Sequence, residues 1–361
     1  MARRAVRVLL DGTPLLGNRT GVGRYTAALA EELASMAGIE MRAVAFTLRG
    51  WRQLRRVLPH GSRARGMPVS ARLLRKSWLR APFPPIELFA GFTDVVHGTN
   101  FVLPAAVRAA GVVTIHDLAF LDEPEELSVA DREELPELVR RSARRAAMVC
   151  TPTAAVAQAV RERLGVPEHR VMVTPLGVDP AWFTAREPRP RLRATLRLPE
   201  RYLLFVGAAG PRKRLDWLLE AHRQGTDLPP LVLAGPGHST ADGRVLALGY
   251  LSDVDLRSVV AGASALVLPS RDEGFGLPVL EALACDVPVV CSDVPALREV
   301  GGGHVTLVPG GDVEALRVAL DAALREPPTP AVLAARRAHA AEYTWRRCAE
   351  ATISAYRHAM A

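Results

Sequence analysis

The chain has 361 residues, 49% of them hydrophobic, enough to bury more than one core, so two domains of ordinary size are expected. The formal net charge of +8 suits an anionic substrate or an anionic membrane surface. Aromatics are only 5% and no nucleic-acid-binding motif is present, so nucleic acid is set aside, and no apolar run reaches the roughly 18 residues of a membrane-spanning helix.

The basic N-terminal residues run into a short apolar stretch that ends at Asp11, which reads as a first strand (5–10) rather than a signal peptide; a cytoplasmic protein is expected. Thr20-Gly21-Val22-Gly23-Arg24-Tyr25 then opens a helix to about residue 36. Strand, glycine loop, helix is the grammar of nucleotide-binding folds. Thr26 stands where a dinucleotide fingerprint needs its third small residue, which disfavours a nicotinamide enzyme. A second strand covers 41–47. Residues 49–80 carry ten basic side chains and no acidic one, with Trp51, Leu54, Leu74 and Trp78 among the interleaved apolar residues. Two readings stay open: a basic helical face that docks on an anionic bilayer or a lipid-linked phosphate, or a surface helix packed by its apolar side on the first domain. Residues 1–180 hold 25 Lys and Arg against 18 Asp and Glu, so the charge excess sits in this half.

Strands follow at 94–97 and 112–115, the second ending in His116-Asp117. Ser128 with Asp131 resembles a capping box for a helix to about 145, and Thr153 caps another that stops at Gly165. With further strands at 148–151 and 171–173 and no hairpin signals, this is a parallel α/β sheet. The Pro- and Arg-rich stretch 184–200 marks a domain junction at its start. A second alternating set has strands at 202–206, 231–234, 245–248, 265–268 and 288–291, and helices near 253–262, 276–285, 312–325 and 329–342, before a last helix from about 345.

The chemistry concentrates in 264–299. A short strand leads into a loop with Gly274 and Gly276, then a helix opened by Pro278. Free N–H groups at a helix start favour an anion, and the carboxylates of Glu273 and Glu281, which bracket the loop, suit sugar or ribose hydroxyls. The bland alternative is that Glu281 complements the helix dipole and Glu273 is solvated. Arg212-Lys213, after a strand and Gly207, suits a diphosphate; the bland alternative is a basic surface turn. Only Lys76 and Lys213 among the 46 basic residues are lysine, which favours a requirement at Lys213. His116 ends a strand, where open α/β sheets place ligands, though a structural histidine would look the same. Asp253 and Asp255 form a D-x-D, read as acidic residues at a helix start rather than a metal site. No Ser-His-Asp, Cys-His or metal-ligand spacing stands out, and Cys150, Cys285, Cys291 and Cys348 read as buried thiols.

The run Glu273-Gly274-Phe275-Gly276-Leu277-Pro278-Val279-Leu280-Glu281 resembles the donor-binding E-x7-E element of the retaining glycosyltransferases of family 4. Further matches are Gly21-Val22-Gly23-Arg24-Tyr25, Thr114-Ile115-His116-Asp117-Leu118, Pro175-Leu176-Gly177-Val178-Asp179 and Pro211-Arg212-Lys213. Two departures are Arg214, where the family has asparagine, and Asp286, where it usually has glycine. The resemblance implies the α/β GT-B fold: two Rossmann-like doubly wound parallel-sheet domains facing across a cleft. The expected domains are 1–183, with 344–361 crossing back onto it, and 184–343. It implies that His116 and Glu273 act catalytically at the transferring sugar, and that Arg212 and Lys213 hold the donor diphosphate. Gly21, Gly23, Gly274, Phe275, Gly276, Leu277 and Glu281 complete the expected donor site, with walls for the base near 235–237 and 245–250. It implies no metal and no cofactor, the nucleotide-diphosphate sugar being a co-substrate. The likeness to bacterial surface-polysaccharide mannosyltransferases inclines the donor to GDP-mannose and the acceptor to a carbohydrate or lipid-linked hydroxyl. A phosphorylase of the same fold, or a sugar-nucleotide-binding module without catalysis, are the alternatives.

Overall fold

The computed structural model describes residues 4–17, 21–48, 50–65, 68–122, 129–239, 243–325 and 328–361, the first two residues of the fifth stretch by backbone alone. The chain divides into two units, Met1–Gly177 with Trp345–Ala361, and Val178–Thr344. The division falls a few residues before the Pro- and Arg-rich stretch. The Val178 N–H donates to the Tyr343 carbonyl (2.9 Å), and Trp182, buried to 2% exposure, accepts from the Cys285 thiol (3.3 Å), so this stretch already belongs to the second unit.

The first unit holds β1 (Val6–Asp11), β2 (Ile39–Val44), β3 (Arg63–Arg65), β4 (Val95–Gly98), β5 (Ala110–Thr114), β6 (Met148–Thr151) and β7 (Val171–Val173). They form one seven-stranded sheet in the order β3-β2-β1-β4-β5-β6-β7, every pair parallel. The second unit holds β8 (Leu203–Val206), β9 (Leu231–Ala234), β10 (Val245–Gly249), β11 (Ala265–Leu268), β12 (Val289–Ser292) and β13 (Thr306–Val308). Their six-stranded sheet runs β10-β9-β8-β11-β12-β13, again all parallel. Strands β8, β9, β11 and β12 are buried along their whole length, which is why they read as unbroken apolar runs rather than alternating ones. In each sheet the order reverses between the first strand and the fourth, β1 against β4 and β8 against β11. In open α/β sheets the carboxyl end of such a reversal is where ligands bind.

Two strands lie outside the expected set. β3 reads Arg-Ala-Arg and sits at the sheet edge, where charged residues discourage pairing with other chains; β13 is likewise a three-residue edge strand. The basic segment is also not one helix. It forms a 3-10 turn (Gly50–Gln53), a helical turn (Leu54–Val57), β3 and the helix Ala71–Arg80. Leu54, Leu74 and Trp78 are buried, and the Trp78 indole donates to the Pro84 carbonyl (3.1 Å). For these three side chains the packed-face reading holds. Arg72, Leu73, Lys76 and Arg80 face outward on the same helix. The cations of 49–80 also find acidic partners on other elements: Arg75–Asp131 at 3.5 Å, Lys76–Glu134 at 3.8 Å and Arg63–Glu40 at 3.3 Å.

The helix Val129–Arg145 is present, while the Ser128 capping box lies outside the described residues. Thr153 does cap Ala154–Leu164, its hydroxyl accepting from the Val156 N–H (3.2 Å). The C-terminal helix Trp345–Met360 packs in the first unit with Cys348, Ala349, Thr352, Ala355 and Tyr356 buried. Both departures from the family pattern fall at left-handed backbone. Asp286 has φ 64° and Arg214 φ 44°, conformations that glycine and asparagine adopt at least cost. Arg214 is held there by a 2.7 Å pair with Asp216 and by stacking on Trp217, 3.9 Å from the ring centre.

Candidate functional site

Because β8 and β11 are neighbours, the loops that leave them meet. The Arg271 N–H donates to the Arg212 carbonyl (2.9 Å), and the Arg212 guanidinium donates to the Asp272 carbonyl (3.2 Å). This brings together three residues singled out from sequence. Lys213 Nζ lies 2.5 Å from Glu273 Oε1, and Arg212 Nη1 lies 3.7 Å from Glu273 Oε2. Ser270, which no motif pointed to, donates from its hydroxyl to the same Oε1 (2.7 Å). Glu273 is not a solvated loop carboxylate: its side chain is 8% exposed, against 18% for Lys213 and 22% for Arg212. Burial pushes its carboxyl up, but the charges of Lys213 and Arg212 and the hydrogen bonds of Lys213 and Ser270 outweigh that and hold it below the usual carboxylate range. The result is a carboxylate that stays ionised inside the protein, beside two cations with one face each toward solvent.

Gly276 has φ 90° and caps the helix Leu277–Ala284, with Pro278 at its second position. Glycine serves there because the left-handed backbone is strained for other residues and a Cβ would come within 2.5 Å of the Leu297 side chain. Phe275 (4% exposed) packs edge-on against Tyr343, and Leu277 is 7% exposed, so what these two offer a ligand is backbone. Glu281, in the first turns of this helix, is 1% exposed, far more buried than dipole complementation at a surface requires. Gly235 passes so close to Gly207 that a Cβ on it would fall 1.9 Å from the Gly207 carbonyl oxygen; that carbonyl also accepts from His238 Nε2 (2.7 Å). Residues 240–242, in the loop between the two segments of the expected base wall, lie outside the described residues.

In the first unit, His116 leaves β5 at the carboxyl end of the sheet. Its Nε2 is 2.9 Å from the Thr99 carbonyl, which can only accept, so Nε2 carries the proton and Nδ1 is the acceptor of the neutral ring. Tyr25 packs edge-on against it with centroids 4.9 Å apart, and Phe101 does so at 5.8 Å. Burial lowers the His116 pKa, partly opposed by the Thr99 hydrogen bond and by Asp117, so the neutral ring is favoured. Gly21 opens the helix Gly21–Ser35 and Gly23 is buried in its first turn. Among the described residues, nothing beyond its own helix and its chain neighbours lies within 4 Å of where a Cβ at Gly21 would sit.

The D-x-D resolves as a cap: Ser252 Oγ accepts from the Asp255 N–H (3.2 Å) at the start of Asp253–Ala261. Among the described residues no group of three or more His, Cys, Asp or Glu is placed to hold a metal ion. The four cysteines are free thiols; Cys150, Cys291 and Cys348 are buried and Cys285 is half-buried. No helix of the described residues is long and apolar enough to cross a membrane.

Residues 20–177 match the family described as "Glycosyl transferase 4-like domain", and residues 200–326 match "Glycosyl transferases group 1". The O-antigen chain mannosyltransferase B of Escherichia coli is 27% identical, over 98% of this chain and 100% of that one. A D-inositol 3-phosphate glycosyltransferase of Frankia alni is 30% identical, over 75% of each chain. Among solved structures, Anabaena HepE in complex with UDP-glucose superposes with a TM-score of 0.72 at 17% identity, covering 96% of this chain and 98% of that one. Together with the two parallel sheets, that likeness identifies the GT-B fold.

Proposed function

Because the chain belongs to the group 1, family 4 glycosyltransferases, we propose that it moves a hexose from a nucleotide-diphosphate sugar to a hydroxyl acceptor with retention of anomeric configuration and without a metal. The observation that carries this reading is the cluster of buried Glu273 with half-buried Lys213 and Arg212, where the loops after β8 and β11 meet. Arg212 and Lys213 take the donor diphosphate: a guanidinium and an ammonium supply the two charges that Mg2+ supplies elsewhere. When the anomeric carbon–phosphate oxygen bond breaks, these cations stabilise the growing negative charge, where preorganised electrostatics contribute most. The acceptor hydroxyl forms the new glycosidic bond on the face the diphosphate leaves, and its proton passes to the departing phosphate oxygen. Glu273 and Glu281 accept hydrogen bonds from sugar and ribose hydroxyls. Gly21, Gly23 and the loop 274–277 offer backbone to the donor, and Nδ1 of His116 accepts from a hydroxyl of the hexose. The E. coli relative supports a mannosyl donor and a polysaccharide acceptor; the HepE complex supports a nucleotide-diphosphate sugar.

The test is nucleotide release from a panel of UDP- and GDP-sugars in the presence of EDTA. Release with at least one donor is expected, at the same rate with or without chelator. Loss of turnover with EDTA, restored by Mg2+ or Mn2+, would refute metal independence; appearance of sugar 1-phosphate on adding inorganic phosphate would mark a phosphorylase instead.

We propose further that the outward basic residues of 49–80 hold the enzyme on an anionic bilayer, where a lipid-linked acceptor is found. Arg52, Arg55, Arg56, Arg72 and Arg80 are exposed, and Leu73 is exposed beside them. The protein is expected to co-sediment with phosphatidylglycerol vesicles and not with phosphatidylcholine vesicles, and to be released by salt. Replacing Arg52, Arg55 and Arg56 with glutamine is expected to weaken co-sedimentation while leaving nucleotide affinity unchanged; equal sedimentation of mutant and wild type would end the idea.

A further inference from the structure

We infer that Thr114, His97 and Tyr356 are positioning residues for His116, a buried polar chain that runs from the C-terminal helix to the rings on either side of it. The inference rests on the role proposed above for His116. The chain starts at Tyr356, whose hydroxyl lies 2.8 Å from His97 Nδ1. His97 Nε2 lies 2.7 Å from Thr114 Oγ1, and the Tyr25 hydroxyl lies 2.9 Å from the same atom. Tyr25, His97, Thr114 and Tyr356 are each at most 1% exposed. Thr114 sits on β5 two positions before His116, and it secures both aromatic walls. Its hydroxyl holds Tyr25, and its carbonyl accepts from the Phe101 N–H (3.0 Å). Phe101 has φ 62°, a costly conformation for an aromatic residue, and its ring packs against His116 and Phe120. The third contact, the Thr99 carbonyl, holds Nε2 and thereby the tautomer.

A fully buried histidine with both ring nitrogens engaged is an expensive way to fill space. Apolar side chains of the same volume would satisfy packing without any desolvation cost. What the polar chain adds is direction. A hydroxyl bonded on two sides cannot rotate, so the Tyr25 ring is fixed relative to His116, while Phe101 is held separately by the Thr114 backbone carbonyl; between the two walls the imidazole keeps one orientation. Through Tyr356 the arrangement depends on the C-terminal helix, which sequence alone marked only as a return segment.

The experiment compares Thr114→Val and Tyr356→Phe, each removing one hydroxyl and little volume, with Tyr202→Phe. The Tyr202 hydroxyl makes an equally buried hydrogen bond, to the Val259 carbonyl (2.6 Å), in the second unit. The readouts are Tm, affinity for bare UDP or GDP, and kcat and KM for nucleotide release from UDP-glucose or GDP-mannose, whichever the wild type turns over. Thr114→Val and Tyr356→Phe are expected to lower kcat about fivefold or more, with bare-nucleotide affinity unchanged. Tyr202→Phe is expected to lower Tm comparably and to keep wild-type kcat. His97→Gln, which retains a polar partner for Thr114, should keep more of kcat than His97→Leu. Wild-type kcat in Thr114→Val and Tyr356→Phe, or the same kcat loss in Tyr202→Phe, would overturn the inference. His116→Ala tells the two failures apart: with kcat lost in His116→Ala and intact in the other variants, the positioning chain alone is wrong. With kcat intact in His116→Ala, the role of His116 falls and the chain with it.

Discussion

Lys213→Ala is expected to act on binding and on stability together. Removing a charged hydrogen-bond donor from the diphosphate should weaken bare UDP or GDP by about 1.5–3 kcal/mol, on the order of tenfold to a hundredfold in Kd. In the ligand-free protein the same ammonium lies 2.5 Å from a carboxylate that is 8% exposed. Breaking a buried pair from one side leaves an undercompensated charge and costs about 3 kcal/mol, softened here because Arg212 and Ser270 remain. The pH dependence follows from the direction of the Glu273 shift. Its carboxyl is held below the usual range in the folded protein, so the stabilisation is present above the unfolded carboxyl pKa and is lost as pH falls through the depressed folded value. Without Lys213 the burial contribution gains ground, the folded pKa rises, and acid unfolding should begin at higher pH than in wild type. Calorimetry with the bare nucleotide and thermal melts across pH 3–7 measure both effects. Unchanged nucleotide affinity would remove Lys213 from the phosphate site, whatever the melts show.

Glu273→Gln is expected to move binding the other way. The amide keeps the shape and a hydrogen-bond acceptor for Ser270 but drops the negative charge that Lys213 and Arg212 now face. The two cations are then less compensated, so bare nucleotide diphosphate should bind as tightly as in wild type or more tightly. Turnover should fall by about a hundredfold, the usual scale for one preorganised polar group at a reacting centre. Affinity held or raised while kcat falls is the diagnostic result. A parallel loss of both would mean that Glu273 is a structural partner of Lys213 and not a group that meets the sugar.

Much of the architecture was legible in the sequence, and the reason is burial on two sides. Strands such as Leu231–Ala234 and Ala265–Leu268 lie inside a parallel sheet, so they are short unbroken apolar runs with turn residues at each end. The helix starts at Thr153 and Ser252 were legible because a capping hydroxyl is a local interaction, complete within four residues. The helix start at Gly276–Pro278 was legible because a left-handed glycine cap and a proline in the first turn are local demands. What sequence could not supply is what arises from neighbours distant in the chain. Arg63–Arg65 becomes a strand only because β2 offers it an edge, and its own residues carry no such preference. Glu273 looked equally like a solvated loop carboxylate until the pairing of β8 with β11 set Lys213, sixty positions earlier, against it. The basic stretch 49–80 looked unopposed because its acidic partners, Glu40, Asp131 and Glu134, come from other elements. The residues around His116 are the clearest case: Tyr25, His97, Thr114 and Tyr356 have no common spacing, and only the parallel order β1-β4-β5 with the C-terminal helix packed in the same unit joins them. Local rules settle where strands, helices and caps begin; which polar groups share a buried space is settled by strand order, because a charge or imidazole removed from water needs a partner that only the folded topology can bring to it.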